Sequence, residues 1–479
     1  MTSRKMASSK KRNKTGKWVI GGSIIAIALI TGCLNDENHI GVYEEGEELS
    51  AGEATVFDAS QNAFGLPVPT LKGKNKNIFF VGNSLFNQSW VTAPSSTTAR
   101  DGLGPLFNAR ACDNCHTRDG RGKPQFETGD VSAGFLMRLS IPGESQHGGP
   151  LPHPIYGGQL QGSALMGIPH EGEVQIKYET IEGKYADGTP YELRKPTYEF
   201  VNLQYGALGP DVLTSPRVGT QMIGLGLLEA IPEDTLKSIV DPNDEDGDGI
   251  SGRINYVWDS VNEKKSPGRY GWKANVPTIR EQVAMAFNHD IGITSSLFPK
   301  DESTKSQPEA MNAVDGGTPE LQEDNFDHIT IYSASLGVPV RRNAKDPNVL
   351  KGKALFHEIG CADCHRPKFE TGDHPEIPEL GNKTIRPFTD LLLHDMGPGL
   401  ADGRPDHQAS GSEWRTAPLW GIGLISTVNN HTFFLHDGRA RNLEEAILWH
   451  GGEGEKSKEA FKELTENERQ FLIEFLNSL

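Results

Sequence analysis

Cysteine is scarce in this chain, which has five in 479 residues: Cys33, Cys112, Cys115, Cys361 and Cys364. So few cannot build a disulfide-stapled scaffold of the kind exported proteins commonly use. Positive charge is also short, with 47 Lys and Arg against 64 Asp and Glu and a net charge of −17. A phosphate backbone demands a basic face, so nucleic acid is excluded as a partner. Long apolar runs are lacking too. The one at 18–30 is too short and too broken by glycine for a membrane span. The hydrophobic fraction of 36% is low, though not that of a disordered chain. Gly (54) and Pro (30) exceed average usage and predict long loops around modest regular structure, on a chain long enough for two or three cores.

What is present begins at the N-terminus. Arg4, Lys5, Lys10, Lys11, Arg12, Lys14 and Lys17 form a basic run without an acid, followed by the apolar run and then Thr31-Gly32-Cys33. A positive segment, a short apolar segment and small residues before a cut site describe an export signal over 1–32. Ile-Thr-Gly-Cys further resembles a lipobox, in which Cys33 takes a diacylglycerol thioether and becomes the mature N-terminus. The plainer alternative is a signal peptide with a chance cysteine. An acidic mature chain would be repelled by anionic headgroups, so attachment to a membrane must come from several acyl chains. The expected location is extracytoplasmic, lipid-anchored to a bacterial membrane.

Residues 33–75 are polar and acidic and read as a tether. Around Cys112-Asp-Asn-Cys115-His116, whose pattern reads as a haem c attachment site, residues 76–345 read as an N-terminal haem c domain with insertions, and around Cys361-Ala-Asp-Cys364-His365 residues 346–479 read as a C-terminal cytochrome c domain. The fold expected is mainly α: two cytochrome c-like domains with long loops and a β-hairpin inserted in the first. The hairpin comes from Val174, Ile176 and Tyr178 alternating before Ala186-Asp187-Gly188-Thr189, then Tyr191 and Leu193. A repeat links the halves: Leu106-Phe107 and Leu355-Phe356 stand at equal distance before their cysteines, and Phe126-Glu-Thr-Gly-Asp130 recurs as Phe369-Glu-Thr-Gly-Asp373. Asp346-Pro347 opens a helix that Gly360 can close. Asn442-x-x-Glu445 and Thr465-x-x-Glu468 are capping boxes, the second leading a terminal amphipathic helix.

Cys112-Asp-Asn-Cys115-His116 and Cys361-Ala-Asp-Cys364-His365 carry the chemistry. Two thiols three positions apart can reach two neighbouring vinyl groups of a porphyrin, and the histidine that follows sits beneath the iron, so both pentapeptides read as haem c attachment sites. Zinc would want four thiolates and no obligatory His after each pair. A thioredoxin-like pair would need a βαβ context, which is absent. With Cys33 accounted for by lipid, no cysteine is left over.

Beyond the pentapeptides, the chain resembles the di-haem oxidoreductase family related to bacterial di-haem cytochrome c peroxidases. The resemblance is densest over 356–451. It rests on Leu393-His-Asp-Met-Gly-Pro-Gly-Leu-Ala-Asp402, Glu413-Trp-Arg-Thr-Ala-Pro-Leu-Trp420, Phe433-Phe-Leu-His-Asp-Gly-Arg439 and Asn442-Leu-Glu-Glu-Ala446. A second block is Ser215-Pro-Arg217 with Met222-Ile-Gly-Leu-Gly-Leu-Leu-Glu-Ala-Ile-Pro232. It implies an oxidoreductase that takes electrons from a small redox protein at one haem and reacts with peroxide at the other. The alternative is a cell-surface electron carrier without substrate turnover. His116 and His365 are the proximal ligands. Met396, or His394, is the candidate sixth ligand of the second haem, because a thioether raises the potential. By resemblance Glu229 is the acid–base at the first haem, with Gln221 and Arg217 as donors. Its plainer reading is the cap of a Leu-rich helix.

Asp244, Asp246 and Asp248 with Gly249 follow the opening of a calcium loop, but Asn255 stands where an EF-hand places its bidentate Glu. A calcium site of another kind and a solvated Asp/Gly turn both remain open readings.

Overall fold

Alternation of apolar and polar side chains makes the longest strands of the protein, and glycine and proline keep nearly everything else short. The computed structural model describes residues 41–97, 99–124 and 134–479. The export signal over 1–32, the lipid attachment at Cys33 and the first repeat copy at 126–130 lie outside the described residues.

In chain order, β1 (Thr55–Val56) precedes α1 (Gly73–Asn87). Next come β2 (Phe135–Glu144), β3 (Pro150–Leu151), the hairpin β4 (Glu173–Lys184) and β5 (Pro190–Val201), and β6 (Leu213–Val218). Helices α2 (Leu225–Glu229), α3 (Ile279–Ala286) and α4 (Glu323–Ser335) lead to β7 (Val338–Pro339) and α5 (Pro347–Glu358). After the second cysteine motif come β8 (Leu393–Asp395), β9 (Glu413–Arg415), α6 (Leu443–Leu448), α7 (Glu455–Glu463) and α8 (Glu466–Ser478).

The hairpin forms as its alternation predicts: β4 and β5 pair antiparallel from Glu173↔Val201 to Lys184↔Pro190. The helix starts are equally local. The Asp346 carboxylate accepts from Asn348 N at 2.8 Å with Pro347 at the first position. Gly360, at φ 82°, follows the end of α5 in the left-handed conformation that favours glycine. Thr465 and Glu468 form a reciprocal capping box. At Asn442 only half the box forms, because the Glu445 carboxylate turns to Arg441.

The expected mainly α fold of two cytochrome c-like domains does not hold. Helix makes up 29% and strand 19%, in small sheets that are two-stranded except for β3-β2-β6. Frequent turn residues break the chain before long helices can form, and paired short strands satisfy the backbone instead. Nor is there a break in packing at 345/346. The described residues form one compact unit, and one hydrophobic core runs from Ala51 to Leu479. The expected tether is also corrected from residue 41 on. Ala51, Ala54 and Phe64 are fully buried, and β1 pairs in parallel with β7. Apolar side chains hidden among acidic neighbours there give the stretch a seat in the core. Among the described residues no helix is long and apolar enough to cross a membrane.

Two helix crossings frame the site. In α1, Gly82 lies against the His328 carbonyl and Tyr332 of α4. In α5, Gly352 lies against the Phe471 carbonyl of α8. Each crossing precedes or follows a cysteine motif and holds an aromatic ring near its histidine: Phe86 at 6.4 Å from His116, Phe356 at 6.4 Å from His365.

Candidate active site

Both cysteine motifs begin as a single helical turn, Cys112–Asn114 and Cys361–Cys364. Each ends on a histidine whose Nδ1 is hydrogen-bonded to a main-chain carbonyl. His116 reaches Thr220 O at 2.7 Å, and His365 reaches Phe388 O at 3.0 Å. A carbonyl only accepts, so Nδ1 carries the proton and Nε2 is the atom left for a metal. Burial favours the neutral imidazole, lowering His116 below its ordinary value and His365 to about 4. Gly219 gives the first ring its room, since a side-chain carbon there would stand 3.0 Å from His116 Cε1.

The four thiols form no disulfide. Burial pushes Cys112 and Cys361 up to about 12 and raises Cys115 and Cys364 as well. Thiols held protonated at neutral pH are poor redox nucleophiles, which weakens the thioredoxin-like reading.

One cavity of about 370 Å³ is lined by Cys112 and His116 and also by Cys361, Cys364 and His365. Its walls are mostly apolar, yet four buried guanidiniums face into it, and three of these, Arg121, Arg269 and Arg415, bind main-chain carbonyls. Arg121 donates to Phe433 O and Leu435 O. Arg269 donates to Leu228 O at 2.9 Å and Ile231 O at 2.8 Å. Arg415 donates to Gly271 O at 2.9 Å and Thr416 O at 3.2 Å. Among the described residues none of the three has a carboxylate within ion-pair distance. Burial lowers Arg121 and Arg415 only to about 10, so both stay charged at pH 7. Three unpaired buried cations in a protein of net charge −17 call for an anionic guest. Haem, an apolar macrocycle with two carboxylates and an iron, matches the apolar walls, the guanidiniums and the two imidazoles.

The wall between the motifs carries a second set of groups. His436 stacks on Trp414 at 3.8 Å with the planes 11° apart, and burial lowers it to about 4. Its carbonyl accepts from Val218 N, two residues before the carbonyl that holds His116. Met396 and His450 line the same cavity near the second motif.

Of the residues singled out in the sequence, Arg217, Gln221 and Met396 line the cavity. Arg217 is bound there to Asp406 at 2.9 Å, a buried ion pair. Glu229 does not reach the cavity. Its carboxylate accepts from Ile279 N at 2.9 Å, capping α3, and lies 3.3 Å from His374 Nε2. The assignment of Glu229 as acid–base is therefore corrected: its carboxylate serves a helix start. His394 is not available to iron either, because Asp390 at 2.8 Å and Glu453 at 2.7 Å take both ring nitrogens. In the acidic loop, Asp244 and Asp246 gather with Asp241, while Asp248 is turned away to cap Ile250 N at 2.8 Å. Backbone amides of the loop itself already bind these carboxylates.

Arg121 and Arg269 escape a reading of the sequence because each is solitary there, whereas Arg415 and His436 stand within the blocks that carry the family resemblance, and His450 follows Leu443 by seven residues on the stripe Leu443, Ala446, Ile447.

Residues 43–479 match the family described as "Di-haem oxidoreductase, putative peroxidase". The chain belongs to the di-haem oxidoreductase family. Among solved structures it is similar to hydrazine synthase of Kuenenia stuttgartiensis pressurised with xenon. That similarity stands at 12% identity and a TM-score of 0.31, covering 86% of this chain and 95% of that one. A likeness so distant says nothing of mechanism. No curated protein matches the chain.

Proposed function

We propose that this family member is a c-type enzyme that reduces peroxide with electrons from a small redox protein. Cys112 and Cys115 would hold one haem by thioethers above His116, and Cys361 and Cys364 a second above His365. Haem supplies the redox chemistry when bound. The observation that carries the reading is the single cavity that joins two neutral, Nδ1-anchored imidazoles to three guanidiniums without carboxylates.

The residues then divide the work. Arg121, Arg269 and Arg415 would neutralise the propionates of bound haem. His436, neutral at pH 7, can take a proton from peroxide, and Gln221 offers an amide donor on the same wall. The first motif belongs to the longer N-terminal stretch, whose expected insertions would suit the substrate side. The second, with Met396 and His450 in its wall, suits electron entry.

The test is direct. Haem stain should survive boiling in SDS, the mass should exceed that of the polypeptide by two haems, and Cys115→Ala should remove one. His436→Leu should keep both haems and lower peroxide turnover by roughly 10²-fold or more. A chain without covalent haem, or full turnover in His436→Leu, overturns the respective part. Two low-spin haems inert to added ligand would favour the electron-carrier alternative.

A further inference from the structure

His450 shows the hydrogen-bonding arrangement of the two motif histidines. Its Nδ1 donates to a main-chain carbonyl, Ala446 O, at 2.7 Å, which leaves Nε2 with a lone pair and no hydrogen-bond partner among the described residues. The ring extends a helical stripe: Leu443, Ala446 and Ile447 of α6 and His450 just past its end all line the cavity at one-turn spacing. The ring is buried and lines the same cavity as His365. Gly454 makes the place for it. A side-chain carbon at 454 would press on His450 Cβ at 3.1 Å and Cδ2 at 3.2 Å, and on Met396 Cε at 3.2 Å.

Met396 shares this wall but is held differently. It precedes the short turn Gly397–Leu400, and its half-buried thioether ends against Gly454. An unbranched side chain with no fixed partner is a gap filler by nature. A neutral imidazole fixed through Nδ1 is a pre-oriented ligand.

We propose that His450 is the sixth ligand of the His365 haem, which makes that haem bis-histidine, with Met396 packing beside it. The assignment rests on the haem reading above and names a ligand within that same site. It also bears on substrate choice: a haem closed on both sides by imidazole carries electrons, so peroxide is left to the other iron.

The experiment uses the full haem-loaded protein. Mass spectrometry first counts the haems, and a wild-type chain without haem on Cys361 and Cys364 overturns the haem reading rather than the ligand. With both haems present, EPR and near-infrared charge-transfer bands of the ferric protein should show one bis-imidazole haem. His450→Gly should abolish that signature at one haem of the two, and added imidazole should restore it. His450→Met should replace it with a histidine–thioether signature, and Met396→Leu should leave it in place. If Met396→Leu removes the low-spin signature, or His450→Gly keeps it without imidazole, the assignment falls.

Discussion

Gly352 permits a sharp test of how the second motif is held. It stands within α5 where that helix crosses α8. A methyl group there would lie 2.0 Å from the Phe471 carbonyl oxygen, 2.6 Å from its carbon and 2.7 Å from Phe475 Cβ. Ordinary contact needs a separation of about 3.4 Å, so Gly352→Ala must push the helices roughly 1.4 Å apart. The obstacle is mostly backbone, which cannot swing aside. Overpacking of this kind costs about 3 kcal/mol at the upper end of its usual range. Alanine returns about 1 kcal/mol through helix propensity, leaving a net loss of about 2 kcal/mol. The displacement also reaches the site, because Leu472 and Leu476 of α8 line the cavity and Phe356 packs on Phe475 at 5.1 Å. Urea unfolding of the haem-loaded protein, followed by tryptophan fluorescence, should show a lower midpoint at unchanged slope. Covalent haem content should stay at the wild-type value. A midpoint equal to or above the wild type would show that close backbone contact does not hold the two helices, and the reasoning would fail.

Acid should weaken the cavity wall through Asp406. Burial alone would raise its pKa, but Arg217 and Arg404 outweigh that and hold it well below the ordinary 3.8. Its contribution to stability is then fully present above about pH 4 and is lost as pH falls through the lower folded value. Asp406→Asn should cost about 3–5 kcal/mol at pH 7 by stranding buried arginine. It should also flatten the acid limb of a pH–stability curve, and an unchanged limb would refute this. Glu229→Gln should leave peroxide turnover at the wild-type rate and cost about 1 kcal/mol through the weakened cap of α3. A fall of about 10²-fold or more would restore Glu229 as an acid–base. Cys33→Ser should move the protein from the membrane to the soluble exported fraction, and retention after high-salt washing would exclude lipid as the anchor.

The two kinds of success and failure in reading this chain have one cause each. Features carried by contiguous residues were legible. The hairpin turn at 185–189 follows from strand alternation around Asp187 and Gly188, and the Asp346 and Thr465 caps need only neighbours three residues away or fewer. Glu229 misled because its sequence setting fits two roles, and the choice depends on Ile279 and His374, which are 50 residues or more distant in the chain. The stretch after residue 41 looked like a tether because its composition is acidic. Its few apolar residues count only once α5 and β7 are beside them.

By itself the sequence determined two Cys-x-x-Cys-His units, a deficit of positive charge and the blocks that carry the family resemblance. These follow from residue identity and short spacing, which no fold can alter. Only the tertiary structure decided that the two units open on one cavity, that three distant arginines there lack a carboxylate partner, and that His394 has both ring nitrogens bound while His450 has one. Such properties depend on which carbonyl or carboxylate each side chain meets, and chain folding alone settles those meetings.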